Sequence, residues 1–272
     1  MRVDNKKDEE IINKLSKILD IKYECHKYFN DGASSTVILL NNSYIIKQNT
    51  ELALQAEIEF LKSNNSIYFQ KIIYVDPNYE FVVYNFIPGD VMHEVNDVED
   101  TLKEIKYITS NYANFEKDGF GYLNEEVVSW SQFLKDEVEY SSSNITEYIS
   151  DKTLVYKCVK KLEKYYFDKK LLHGDFGTHN FIKQNGKLVG VIDPMPVIGD
   201  SLYDLLFAIV SNTDILSNIT LEQIYSLSDE PKEKIKALFT IVLYSRISRC
   251  LKYHPEDIAI YMDFWNNLSH FS

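Results

Sequence analysis

Cysteine is scarce: Cys25, Cys158 and Cys250 are the only three in 272 residues, too few and too far apart for a disulfide framework or a zinc site. Reduced thiols in or near a core are expected. No apolar run approaches the length of a membrane span. Internal repeats, proline-rich linkers and low-complexity tracts are missing, apart from Ser141-Ser142-Ser143-Asn144, which reads as a short loop. Positive charge is in short supply, with 29 Lys and Arg against 41 Asp and Glu for a formal charge of −12, and this argues against nucleic-acid binding. The first ten residues are charged and no apolar stretch follows them, so a secretory signal is not expected. A soluble cytoplasmic protein is the expectation, as a monomer or small homo-oligomer with no membrane partner.

What the chain does have is apolar and aromatic bulk. Hydrophobic residues make up 45% and aromatic residues 14%, enough for a large core in a chain slightly longer than one core usually serves. Apolar spacings near three and four predict helices over about 11–19, 52–61, 98–115, 130–140, 154–166, 203–210, 235–249 and 257–268. Residues 28–40 read as strand, turn and strand, residues 43–48 as a strand, and 80–87 as a strand broken by Pro88-Gly89.

The most specific stretch is His173-Gly174-Asp175-Phe176-Gly177-Thr178-His179-Asn180, followed by Val191-Ile192-Asp193. Moving a γ-phosphoryl group to an alcohol needs oxygen ligands for Mg²⁺ and a carboxylate that orients the hydroxyl and accepts its proton. Asp175 is placed to be that carboxylate, with Asn180 and Asp193 as the metal ligands. The apolar runs 181–183 and 188–192 flank Gln184-Asn185-Gly186-Lys187, and Asn-Gly between such runs signals a hairpin. An antiparallel hairpin brings Asn180 and Asp193 to the same end although thirteen residues separate them. An alternative use of His173, Asp175 and His179 is to ligate a transition metal, as in metal-dependent phosphoesterases. That chemistry has no need of Asn180 and Asp193 at the two ends of a hairpin, and it leaves His173 better explained as a structural residue of the loop.

These motifs resemble the catalytic and metal-binding core of the aminoglycoside phosphotransferase and choline-kinase-like superfamily, relatives of the protein kinases. The kinase loop H-R-D-x-x-x-x-N reads His-Gly-Asp-x-x-x-x-Asn here, with Gly174 in place of the arginine, which argues against a protein kinase. The segment Gly199-Asp200-Ser201-Leu202-Tyr203-Asp204-Leu205-Leu206 resembles the G-D-P-x-x-D-L-A helix start of the family, with Asp200 or Ser201 as the cap. The resemblance implies an α+β, two-lobed protein-kinase-like fold: a β-rich nucleotide-binding lobe over 1–89, ending in a hinge, and a mainly helical lobe over 90–272.

In the first lobe the resemblance makes Lys47 the contact to the α- and β-phosphates and Glu57 its acidic partner, with Glu59 the lesser choice. Asn85 and Phe86 are its hinge candidates for the purine, with Tyr84 behind the base. Gly32, Ser34 and Ser35 make a weak phosphate-covering loop, and an ordinary hairpin turn is the competing reading. Mg²⁺ and ATP or GTP are the implied cofactors.

The leading acceptor class is an aminoglycoside antibiotic, which would make the protein a resistance enzyme. The alternatives are a metabolic kinase for choline, ethanolamine, homoserine or a sugar derivative, a phosphotransferase for another antibiotic class, and a kinase-shaped binding protein without catalysis. The negative charge favours a cationic acceptor. Asp136, Glu137 and Glu139, Asp200 and Asp204, and Glu256, Asp257 and Asp263 are candidates for an acidic acceptor surface, against the plainer reading of solvated helix faces.

Overall fold

The computed structural model describes residues 5–29 and 35–270. The chain divides into two compact units, Met1–Pro88 and Gly89–Ser272.

The first unit holds α1 (Asn5–Ile18), β1 (His26–Phe29), β2 (Thr36–Leu40), β3 (Tyr44–Gln48), α2 (Glu51–Ser63), β4 (Ile72–Val75) and β5 (Val82–Asn85). Its strands form one antiparallel sheet in the order β1-β2-β3-β5-β4. Successive strand residues point to opposite faces, so one sheet has two apolar surfaces to cover. Ile38, Leu40, Ile46 and Val83 meet Ile11, Ile12 and Leu15 of α1 on one side. Leu39, Ile45, Val82 and Tyr84 meet Leu54 and Ile58 of α2 on the other. The β2–β3 turn is tight because Asn41 and Asn42 both adopt φ of 50°, the left-handed pair that matches strand twist. α2 starts where Thr50 accepts a hydrogen bond from the Ala53 N–H.

The second unit contributes β6 (Asp90–Val91), α3 (Val98–Ser110), β7 (Gly121–Tyr122), α4 (Trp130–Ile145), α5 (Thr153–Leu162), β8 (Lys170–Leu172), β9 (Phe181–Gln184), β10 (Lys187–Val191) and β11 (Val197–Gly199). It continues through α6 (Leu202–Val210), α7 (Thr213–Ser217), α8 (Leu221–Ser226), α9 (Lys232–Tyr253) and α10 (Ile258–His270). Two small antiparallel sheets, β10-β9-β6 and β7-β11-β8, carry the loops of interest. α9 is buried along most of its length and packs against α4, α5, α6 and α10. Its middle, Ala237–Tyr244, is apolar but for Thr240, as the buried part of a central helix should be.

The expected hairpin forms: Lys187 pairs with Gln184 and Val191 with Phe181. Its turn residues Asn185 and Gly186 have φ of 53° and 77°, as a two-residue turn with both positions left-handed requires. Two readings are corrected. Ser141–Asn144 is not a loop but lies in the last turns of α4, where Ser142 Oγ donates back to the Val138 carbonyl at 2.7 Å and lies 3.1 Å from the Tyr244 hydroxyl. Serines satisfied in this way are compatible with a helix that packing on α9 holds in place. The helix expected over 98–115 stops at Ser110, since the Asn111 side chain and N–H both turn back to carbonyls of the last turn.

Phe239 lies fully buried in α9 against the Phe264 ring, 5.6 Å between centroids. Phe239→Ala should lower stability by about 3–5 kcal/mol, read from chemical denaturation. A midpoint close to wild type would show that α9 is not the centre of this core.

Candidate active site

The proposed catalytic loop in the second unit is held by one buried carboxylate. Asp204, in the first turn of α6 and 0% exposed, accepts the His173 N–H at 2.8 Å, the Gly174 N–H at 3.2 Å and the Tyr112 hydroxyl at 2.9 Å. Burial pushes its carboxyl up to about 7, against these three donations, and the charge of Asp175 adds to the rise. Gly174 has φ of 79°, and a Cβ there would fall 1.9 Å from the Met195 carbonyl oxygen, so only glycine fits. The His173 ring is fully buried and donates from Nε2 to the Ile192 carbonyl at 3.0 Å. Burial lowers its pKa to about 4, which keeps the ring neutral near neutral pH. This is the structural role expected of His173, and it turns the bonded nitrogen away from metal ligation.

Beyond Gly174 the backbone presents Asp175 about a third exposed. Asp175 Oδ2 accepts from Asn180 Nδ2 at 3.0 Å and from His179 Nε2 at 3.1 Å, and Asn180 Nδ2 also reaches the Asp175 carbonyl at 2.9 Å. Burial raises the carboxyl, but hydrogen bonding and charge from His179, followed by His173 and Asn180, outweigh it and bring the pKa down to about 2. Asp175 is therefore a carboxylate at any physiological pH. Asp175 Oδ1 accepts no bond from a described residue.

Asn180 closes a short 3₁₀ turn, Thr178–Asn180, at the start of β9. Its amide N–H₂ is occupied by Asp175, which leaves the amide oxygen as the atom of this side chain that could serve a metal. The Ile192 N–H donates to the Asn180 carbonyl at 2.9 Å, so the chain before Asp193 is tied to the chain at Asn180. Asp193 itself is exposed and sits at φ of 60°, a left-handed conformation uncommon for residues other than glycine but tolerated by aspartate. Two hard oxygen donors suit Mg²⁺, which is commonly held by one or two protein oxygens together with substrate phosphates.

In the first unit Lys47 Nζ and Glu57 Oε2 are 2.7 Å apart with both side chains nearly buried. β3 and α2 thus deliver the expected pair, and Glu59 is not the partner found. The N–H of Asn85 donates to Lys71 and that of Phe86 to Ser43, at 3.1 and 2.8 Å. Both amides belong to the sheet, so neither N–H of the two expected hinge residues is open to a base. Tyr84 is fully buried in the core under α2. Ser35 precedes β2 and is half-buried; Gly32 and Ser34 lie outside the described residues.

No protein-family profile and no curated protein matches the sequence. Solved structures do match. A ternary complex of aminoglycoside phosphotransferase APH(4)-Ia with AMP-PNP and hygromycin B has a TM-score of 0.65 at 14% identity, covering 94% of this chain and 96% of that one. The GDP complex of aminoglycoside 2′-phosphotransferase-IIIa has a TM-score of 0.57 at 14% identity, covering 96% and 97%. ADP-bound APH(2″)-Ib has a TM-score of 0.56 at 16% identity, covering 96% and 99%. The fold is that of the aminoglycoside phosphotransferases. At this identity a shared fold is what the likeness establishes.

Within this phosphotransferase fold, three of the acidic residues considered for an acceptor surface are used internally. Asp204 holds the loop. Asp200, 5% exposed, pairs with Lys234 at 2.8 Å and caps α6 through the Leu202 N–H at 3.0 Å, so Asp200 rather than Ser201 is the cap. Glu137, 7% exposed, pairs with Arg249 at 3.0 Å and accepts from the Tyr122 hydroxyl at 3.2 Å. Asp136, Glu139, Glu256 and Asp263 are exposed and Asp257 half-buried. The motif reading did not supply the loop-holding role of Asp204 or the His179–Asp175 contact. The i, i+4 spacing of Asp175 and His179 around a turn was the available signal for the second.

The pKa of Asp204 has a consequence for stability. Its folded value lies above the unfolded one of about 4, so its contribution is fully present below about pH 4 and is lost as pH rises through about 7. His173 acts in the opposite sense: its lowered pKa gives stability present above about pH 6.5 and lost as pH falls through about 4. The difference in thermal midpoint between wild type and Asp204→Asn isolates the first effect. Wild type should lose stability relative to the variant as pH rises from about 4 to about 7. A pH-independent difference would contradict the raised pKa.

Proposed function

We propose that the protein transfers the γ-phosphate of ATP or GTP to a hydroxyl of an aminoglycoside and so acts as an antibiotic-resistance enzyme. The observation that carries this reading is the state of Asp175: ionised, with Oδ2 held by two donors and Oδ1 left to meet a hydroxyl. Oδ1 takes the acceptor proton as the new O–P bond forms and the bond to the β-phosphate oxygen breaks, releasing nucleoside diphosphate. Lys47, held by Glu57, contacts the α- and β-phosphates. Asn180 and Asp193 would hold Mg²⁺, which would supply neutralisation of the phosphate charge. Of the expected hinge residues Asn85 and Phe86, whose amides are bonded within the sheet, the Phe86 carbonyl is the group left to meet the base. Catalysis comes from positioning and charge neutralisation.

The donor class is supported by neighbours bound to AMP-PNP, ADP and GDP, and the acceptor class by neighbours bound to hygromycin B and kanamycin. The formal charge of −12 suits a polycationic acceptor and not a nucleic acid. No helix among the described residues is long and apolar enough to cross a membrane. We place the reaction in the cytoplasm, carried out by a monomer or small homo-oligomer.

A panel of kanamycin, hygromycin B, choline and homoserine with Mg-ATP and Mg-GTP tests the acceptor. Phosphorylated aminoglycoside is the expected product, and turnover with choline or homoserine alone would replace the acceptor class. Asp175→Asn should reduce transfer by about 10³-fold or more, equivalent to about 4 kcal/mol or more of lost transition-state stabilisation, while nucleotide affinity stays near wild type. Asp193→Ala should weaken Mg-nucleotide binding as well, and Lys47→Ala should raise the KM for nucleotide. Undiminished turnover in Asp175→Asn would remove Asp175 from the mechanism.

A further inference from the structure

A residue outside the three expected to do chemistry touches the proton-accepting carboxylate. His179 Nε2 lies 3.1 Å from Asp175 Oδ2, and the ring is almost half exposed. An ionised carboxylate only accepts hydrogen bonds, so the contact requires a proton on Nε2. The same oxygen takes the Asn180 amide at 3.0 Å. Two donors from one short turn therefore converge on Oδ2, and neither addresses Oδ1.

The glycine beneath the ring has no other explanation in its backbone. Gly177 has φ of −103° and ψ of 160°, ordinary extended values open to any residue. What it supplies is space: a Cβ there would fall 2.4 Å from His179 Cε1, 2.6 Å from His179 Nδ1 and 3.1 Å from Ser211 Cβ. The turn carrying His179 is itself anchored. The Thr178 N–H donates to Ser211 Oγ at 3.1 Å, Asn212 Nδ2 donates to Thr178 Oγ1 at 3.2 Å, and the Asn180 N–H donates to the Gly177 carbonyl at 2.9 Å. The ring is thus folded over a glycine on a backbone held by Ser211 and Asn212 at the junction of α6 and α7.

We propose that His179 is a positioning residue: lying over Gly177, it donates to Asp175 Oδ2 and so fixes the carboxylate rotamer that aims Oδ1 at the acceptor hydroxyl. With Asn180 alone, Oδ2 keeps one donor and the carboxylate can rotate about χ2, a broad torsion for aspartate. Loss of alignment at the proton-accepting atom is felt in the chemical step and not in nucleotide binding. The role rests on the phosphotransferase reading, but the contact itself does not.

The test has two arms. In the first, ¹⁵N-histidine NMR of wild type and Asp175→Ala reads the tautomer of His179 without any turnover. The Nε2-protonated form is expected in wild type, with a change in the His179 signals when the carboxylate is removed. A ring protonated only on Nδ1, or signals indifferent to Asp175→Ala, would overturn the contact. In the second arm, kcat and KM for nucleotide are measured with the acceptor identified by the panel, or by Mg-nucleotide hydrolysis if no acceptor is turned over. His179→Ala should lower kcat about tenfold or more with nucleotide KM and thermal midpoint unchanged, a change equivalent to about 1.4 kcal/mol or more. His179→Gln, whose terminal amide can reach the same oxygen, should recover part of the loss, and Gly177→Ala should reproduce it by displacing the ring. Wild-type kcat in His179→Ala, or a loss not recovered by His179→Gln, would overturn the positioning role. An inactive wild type with an Nε2-protonated, Asp175-sensitive His179 would instead count against the phosphotransferase reading and leave the contact standing.

Discussion

The carboxylate of Asp204 is the constraint on which the second unit's site depends. Just after β8, His173-Gly174 leave two backbone N–H groups where the chain must turn, and buried donors without partners are costly. α6 answers both from its first turn with one side chain, and Tyr112 from beyond α3 completes the set. The ladder of β8 and the first turn of α6 are therefore locked together at the residue before Asp175. Burying a carboxylate this deeply opposes its ionisation, which is why its pKa rises even with three donors. At Asp175, a side chain still partly in water, hydrogen bonds from His179 and Asn180 together with histidine charge outweigh burial and produce the opposite shift.

Close approach explains the rest of the loop's geometry. Gly174 lets the backbone pass against the Met195 carbonyl, and Gly177 leaves room for an imidazole. Between them the chain is short enough that the amide of Asn180 folds back onto Asp175. The hairpin β9–β10 then returns the chain to Asp193, whose left-handed backbone is uncommon for residues other than glycine but tolerated by aspartate.

Much of this architecture is legible in residue patterns. The helices α2, α4 and α9 follow from apolar spacing, and the Asn185-Gly186 turn from two residues that accept positive φ. Lys47 and Glu57 are paired by the family resemblance, and the two side chains do meet, 2.7 Å apart between β3 and α2. Short elements are less visible: β6, β7 and β11 have two or three residues each, too few for any period to show, and α7 and α8 announce themselves only through Asn212 and Thr220 as caps. Ser141–Asn144 misleads because serine favours loops locally, yet α9 supplies the packing that keeps α4 helical. Charge misleads in another way. Asp200, Asp204 and Glu137 look like acceptor ligands among 41 acidic residues, whereas burial turns each toward an internal partner.

Local chemistry in the sequence was sufficient to determine the hairpin that joins Asn180 to Asp193 and the helical character of the second unit, since each rests on contacts between residues close along the chain. Tertiary structure alone decided that Asp204 serves the loop and not a substrate, that the amides of Asn85 and Phe86 belong to the sheet, and that His179 lies over Gly177 onto Asp175. The reason is physical: a side chain's role is set by which donors and acceptors burial leaves within about 3 Å of it, and for the Asp204 and sheet contacts those partners come from elements that only folding brings together, while for His179 they depend on how the turn is held.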